Sequence, residues 1–195
     1  GVPLLQTKLR IPPRRGDQVA RPQLIEQLNA GFQQNRPLTL IAAAAGSGKT
    51  TLLSQWIPQS EKCVTWLSLD EEDNDFTRFW TYFIASLQLL QKNLAQDALQ
   101  LLQAPQPPPA EAFLSILLNA VSQFDDRFIL VLDDYHLIDT LSIHRSLAYL
   151  LDHIPPQMQL IISSRTDPPL PLARLRARGE MLELRAVDLA FDERE

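Results

Sequence analysis

The chain is poor in sulfur and in basic charge. Cys63 is its one cysteine, beside two methionines, which excludes an internal disulfide and a cysteine-based metal cluster. Its three histidines, His136, His144 and His153, show no metal-ligand spacing. Against 23 Asp and Glu stand 18 Lys and Arg, a net charge of −5, so no strongly positive face for nucleic acid is announced. No apolar run approaches the roughly 20 residues of a membrane span, and nothing near the N-terminus resembles a secretory leader. These absences point to a reducing cytoplasm, with Cys63 expected as a core residue on a strand.

What is present is ordinary in amount and unusual in order. With 195 residues, 45% hydrophobic and 21% charged, the chain suits one domain, 1–195, able to bury a core without staples. Six glycines are few, yet two sit where they matter most. Leu38-Thr39-Leu40-Ile41-Ala42 runs into Ala43-Ala44-Ala45-Gly46-Ser47-Gly48-Lys49-Thr50-Thr51 and then an apolar helical stretch. Strand, small-residue loop and helix are the context of a phosphate-binding loop, G-x-x-x-x-G-K-[ST], also called Walker A. Gly46 and Gly48 let main-chain N–H groups turn inward. Lys49 brings positive charge to the β- and γ-phosphates, Thr50 offers a hydroxyl to Mg²⁺, and the helix start adds its dipole. Ala45, Ser47 and Thr51 complete the cradle. Ala43 departs from the pattern, standing where the first glycine would be.

The rest of the chain alternates strands and helices. Residues 1–21 read as an extended lead-in, with a turn at Arg14-Arg15-Gly16. A helix opens at Pro22, and Gly31 and Pro37 close that region. The phosphate-loop helix is expected over 49–57, stopped by Pro58, followed by a strand at 63–69. After the acidic turn 70–75, Phe79, Trp80, Phe83, Ile84, Leu87 and Leu90 recur at helical spacing over 77–92. The stretch 95–109 is Gln- and Pro-rich and reads as a surface connection. A helix at 110–123, a strand at 128–132, a helix at 141–152 and a strand at 159–163 come next. A short basic helix (Leu172–Ala177), a strand at 181–184 and an acidic helical start at 188–195 end the chain. The alternation predicts a parallel α/β sheet in a three-layer α/β/α fold of the P-loop NTPase type, with the core over 22–187.

Three further features bear on chemistry. Asp133-Asp134 ends an aliphatic strand, where ligands collect in an open α/β sheet. Asp133 is expected to hold Mg²⁺, as Walker B, and Asp134 to orient or deprotonate an attacking water. Arg165 ends the next strand in sequence and is expected at the γ-phosphate, with an ordinary surface arginine as the alternative. Glu71 and Glu72 are alternative bases, although a solvated turn accounts for them. Arg174, Arg176 and Arg178 read as a solvated or interdomain face rather than a DNA contact. His136 is expected to orient a neighbour, and neither it nor Tyr135 has a chemical partner in the sequence.

Together these residues give the chain a resemblance. Gly46–Thr51 with Leu53-Ser54-Gln55-Trp56, Trp66–Asn74 leading to Phe79-Trp80, Leu130–Ile138, and Ile162–Arg165 with Pro168–Arg176 resemble the MalT-like, large ATP-binding regulators of the LuxR class, which are STAND ATPases. The resemblance implies an AAA+-related sheet of five strands, mainly parallel, in the order 5-1-4-3-2. It implies that Val19, Ala20 and Arg21 lie beside the adenine and that Arg165 is the sensor arginine. It also implies ADP in a closed resting monomer, ATP with an inducer favouring a self-associating form that activates transcription, and slow hydrolysis as the reset. Such regulators continue into winged-helix, helical-repeat sensor and helix-turn-helix modules. Residues 188–195 would then begin the next module, and the 195 residues would neither bind DNA nor sense the inducer unaided. A self-standing P-loop ATPase or small-molecule kinase is the alternative, as is an interaction module with a degenerate site. Against the last stand Lys49, Thr50, Asp133 and Asp134, all in place.

Overall fold

The computed structural model describes residues 3–14, 16 and 19–190. Arg15 of the expected turn and residues 191–195 of the acidic tail lie outside that description. Five strands, β1 (Leu38–Ala42), β2 (Cys63–Ser68), β3 (Phe128–Asp133), β4 (Met158–Ser164) and β5 (Met181–Arg185), form one sheet in the order β2-β3-β4-β1-β5. Every pairing is parallel, and the order is the expected 5-1-4-3-2 seen from the other edge. Helices α1 (Pro22–Gln33), α2 (Lys49–Ser60), α3 (Phe76–Gln88), α4 (Gln96–Leu102), α5 (Ala110–Ser122), α6 (Leu141–Asp152), α7 (Leu172–Ala177) and α8 (Ala186–Leu189) complete the chain.

Alternation along the central strands feeds two separate cores. Leu38, Leu40, Leu130, Leu132, Leu160 and Ile162 face one side with the aromatic stripe of α3 and the apolar faces of α4, α5 and α6. Ile41, Ile129, Val131 and Ile161 face the other, against Leu24 and Leu28 of α1 and Leu52, Leu53 and Trp56 of α2. A sheet covered on both faces is why its central strands read as unbroken aliphatic runs. The phosphate-loop helix therefore packs in the thinner layer, and the bulk of the apolar mass lies opposite.

The structure corrects several local expectations. Cys63 is on a strand but exposed, because β2 is an edge strand and Cys63 its first residue. The α2 helix runs through Pro58 to Ser60 and ends at Glu61 with φ +53°; a proline in the last turn forfeits one hydrogen bond, not the helix. Gly31 does not close α1 but lies inside it, where a β-carbon would meet Leu182 Cδ2 at 2.8 Å, so this glycine lets α1 approach β5. The stretch 95–109 is not all surface connection: Ala98 and Leu102 of α4 are buried, with Leu94 before it. The lead-in is not wholly extended either, since Gln6–Leu9 form a 3₁₀ turn with Lys8 and Leu9 buried. Helix α3 stops at Gln88, short of residue 92.

Candidate functional site

The site is assembled at the C-terminal ends of β1, β3 and β4. β1 delivers the phosphate loop, in which Gly46 and Gly48 hold φ of +78° and +82°, the left-handed region that glycine enters without strain. Ala43 is not in that region; it is buried, and its N–H donates to the Ser164 carbonyl at 3.1 Å. A methyl group is therefore tolerated where the motif usually has glycine. Lys49 begins α2 and curls back over the loop, its Nζ donating to the carbonyls of Ala43 (2.6 Å) and Ala44 (2.9 Å). Burial pushes Lys49 below its ordinary pKa; Asp134 and Asp133 oppose that shift, and Arg165 adds to it.

Thr50 and Asp133 meet directly. The Thr50 hydroxyl lies 3.2 and 3.1 Å from the two carboxylate oxygens of Asp133, which is 4% exposed. Burial raises the Asp133 pKa, the Asp134 charge adds to this, and the Ser163 and Thr50 hydroxyls hold it back. Ser163 on β4 is a residue that sequence reasoning missed: it donates to Asp133 and accepts the Asp134 N–H at 3.3 Å. The sole signal was a hydroxyl closing an aliphatic strand, and only strand pairing reveals which carboxylate it serves. The next residue, Ser164, is fully buried and its hydroxyl has no hydrogen-bond partner.

Asp134 leaves the sheet at φ +60°, an unusual conformation for a residue with a side chain. It opens the 3₁₀ turn Tyr135–Leu137, which is tied down from three directions. Tyr135 is fully buried, with its hydroxyl 2.8 Å from His144 Nδ1 on α6, which makes Tyr135 a packing anchor. Asn74 donates to the Leu137 carbonyl at 2.8 Å, and its Oδ1 accepts from the N–H groups of Asp139 (2.8 Å) and Thr140 (3.2 Å). His136 Nδ1 accepts the Arg165 N–H at 3.3 Å. Burial, Arg165 and Lys49 hold His136 below its ordinary pKa against the pull of Asp134 and Asp133. The Arg165 side chain is exposed, and its charge acts on both Lys49 and His136.

The acidic turn after β2 has a structural use. Asp70 and Asp73 form a reciprocal cap, and buried Lys8 pairs with both, at 2.6 Å to Asp70. Glu71 and Glu72 are exposed, with Glu72 2.9 Å from Arg78. In the segment expected beside adenine, the Val19 carbonyl accepts from Gln55 at 3.0 Å. The Arg21 guanidinium donates to the carbonyls of Leu189 (2.7 Å) and Ala190 (3.1 Å). A hollow of about 260 Å³ lined by Ala20, Pro22, Ile25, Asn29 and Gln55 lies beside that segment. On the basic helix, Arg174 pairs with Asp152 and Arg176 with Glu183. No helix among the described residues is long and apolar enough to cross a membrane.

This geometry can be set against known proteins. Residues 13–163 match the family model described as AAA ATPase domain. The chain is 41% identical, over 192 residues, to the HTH-type transcriptional regulator MalT of Yersinia pestis (strain Pestoides F), and 39% identical to that of Yersinia enterocolitica serotype O:8. The alignments take in 98% of this chain and 21% of each relative, so the chain spans about a fifth of their length. Among solved structures, Cdc6p from Pyrobaculum aerophilum superposes with a TM-score of 0.58 at 16% identity, covering 89% of this chain and 46% of that one. A Walker-type ATPase of Pyrococcus abyssi gives 0.53 at 17%, covering 83% and 49%. Those two likenesses speak for the fold. The matched span takes in the phosphate loop, the Asp133-Asp134 strand end and β4 as far as Ser163, and on that ground the chain belongs to the AAA ATPase domain family.

Proposed function

We propose that this chain is the ATP/ADP-binding switch domain of a MalT-like transcriptional regulator, one that hydrolyses ATP slowly with Mg²⁺. The observation that carries this reading is the convergence of Lys49, Thr50, Asp133, Asp134 and Arg165 at one edge of the sheet. In this reading Gly46, Ser47, Gly48 and the start of α2 present main-chain donors to the phosphates. Lys49 exchanges the loop carbonyls for the β- and γ-phosphates, and Thr51 continues the helix start. Asp134 orients the attacking water or takes its proton, and Arg165 contacts the γ-phosphate and registers its loss. Val19 and Arg21 border the base.

The Thr50 hydroxyl and the Asp133 carboxylate are hard oxygen donors already in contact, and Asp133 and Asp134 are adjacent like charges. That donor set suits Mg²⁺. Bound with the nucleotide, the ion would neutralise phosphate charge. DNA binding, inducer sensing and self-association are assigned to parts of the regulator outside these residues. Asp188 would sit at the junction with the next of them.

The test is to denature freshly purified protein, identify the nucleotide released, and measure steady-state hydrolysis beside Asp134→Ala. Near-stoichiometric ADP from the parent, ATP from the variant and a slow rate are expected. An empty site with rapid turnover would instead mark a self-standing ATPase. Unchanged hydrolysis in Asp134→Ala would move the base elsewhere.

A further inference from the structure

Gln55 is a buried amide that the proposed function leaves unused. It lies inside α2 and is 2% exposed. Its Nε2 donates to the Val19 carbonyl at 3.0 Å, which fixes the orientation of the amide, because a carbonyl takes only a donor. Its Oε1 is buried and has no hydrogen-bond partner among the described residues. A bare buried acceptor costs stability, so the fold alone does not account for an amide at this position.

What the amide holds is one peptide unit. The segment before α1 is pinned on either side of Ala20. Val19 is held by Gln55. Arg21 is held by its guanidinium on the Leu189 and Ala190 carbonyls, and its own carbonyl accepts the Ile25 N–H at 3.0 Å. Ala20 is exposed, and its N–H has no acceptor among the described residues. The Val19 carbonyl and the Ala20 N–H belong to one planar trans unit and point opposite ways. The bond from Gln55 therefore aims the Ala20 N–H away from Gln55 and holds it there.

We propose that Gln55 is a positioning residue for base selection: by holding the Val19–Ala20 peptide it sets the Ala20 N–H as the donor to ring nitrogen N1 of adenine. This rests on the reading of Val19 and Arg21 as the border of the base. Adenine carries a lone pair at N1, whereas guanine carries N1–H, so an N–H fixed at that place bonds the first and opposes the second. A donor held in place beforehand contributes more than one that must be ordered on binding.

The experiment titrates the magnesium complexes of ADP, GDP and 1-deaza-ADP, in which C–H replaces N1, into the 195-residue chain and its variants. Thermal melts confirm folding. The parent should bind ADP about 5-fold more tightly than 1-deaza-ADP, the scale of one hydrogen bond, and GDP more weakly still. Gln55→Met, similar in length and without a donor, should bind ADP and 1-deaza-ADP within about twofold of each other, with 1-deaza-ADP held as in the parent. Gln55→Glu, which keeps the shape and has no N–H, should behave as Gln55→Met does. A parent that binds ADP and 1-deaza-ADP alike would overturn the proposal, and tight Mg-ADP binding in that case would leave the phosphate-loop reading standing. An N1 preference kept in both variants would mean that Gln55 does not set the donor. Equal weakening of ADP and 1-deaza-ADP would make Gln55 merely structural. Binding of none of the three would remove the nucleotide reading and this proposal together.

Discussion

Two turns leave the same edge of the sheet and are built on opposite plans. In the phosphate loop, Ala44, Ala45, Gly46 and Gly48 are exposed, and the side-chain bonds are Ser47 to the Ala44 carbonyl and the Lys49 ammonium to two carbonyls. In the turn from Asp134 to Thr140, the N–H groups of Asp134, Asp139 and Thr140 are taken by Ser163 and Asn74. Leu137 and Ile138 bond back within the turn. In the first turn the Ser47 N–H bonds back to the Ala44 carbonyl at 3.3 Å, and the glycine N–H groups beside it are left open for a ligand. The other is rigid beforehand, which is what the role proposed for Asp134 requires. Under the proposed function, affinity belongs to the first turn and geometry to the second.

Substitutions can break that contrast. The largest effect is expected from Lys49→Ala, which removes a charged donor from the binding turn. Affinity for Mg-ATP should fall by about 100-fold or more, read by titration with a fluorescent nucleotide, with no comparable loss of stability. Retained tight binding would sink the phosphate-loop assignment. Asn74→Ala should do the reverse, since its amide serves the positioning turn and touches no expected ligand. A loss of about 2 kcal/mol in urea unfolding is expected, with ADP affinity little changed.

The smallest effect should come from Asp133→Asn, and its sign depends on pH. Burial raises the folded pKa of Asp133, so the folded chain keeps that proton to a higher pH than the unfolded chain. Stability from this group is present below the unfolded value near 4 and is lost as pH rises through the folded value. Without nucleotide, Asp133→Asn should therefore melt slightly higher than the parent near pH 7. Near pH 3 the two should melt alike. A variant less stable at neutral pH would mean that the Ser163 and Thr50 bonds outweigh burial.

Much of this was legible in the sequence, for physical reasons that differ by region. Buried parallel strands must be apolar on both faces, so 38–42 and 128–132 announced themselves. The phosphate loop was legible because its chemistry is local to a few residues, and the Asp133-Asp134 pair because it ends such a strand. What stayed hidden depends on contacts distant in sequence. Ser163 serves a carboxylate 30 residues away, Asn74 reaches Leu137 63 residues on, and Lys8 meets Asp73 across 65 residues. Cys63 was misjudged because periodicity does not say which strand lies at an edge. Pro58 does not end α2 because a proline in the last turn costs one hydrogen bond, and α4 lies in a Gln- and Pro-rich stretch whose helical signal is the spacing of Leu94, Ala98 and Leu102.

The comparison between the two turns is tested most directly by amide hydrogen exchange with and without Mg-ADP. The account predicts fast exchange at residues 44–48 in the free protein, slowed about 10-fold or more by nucleotide. Residues 137–140 should be protected in both states. No slowing at 44–48, or exchange at 137–140 as fast as in the phosphate loop, would contradict it.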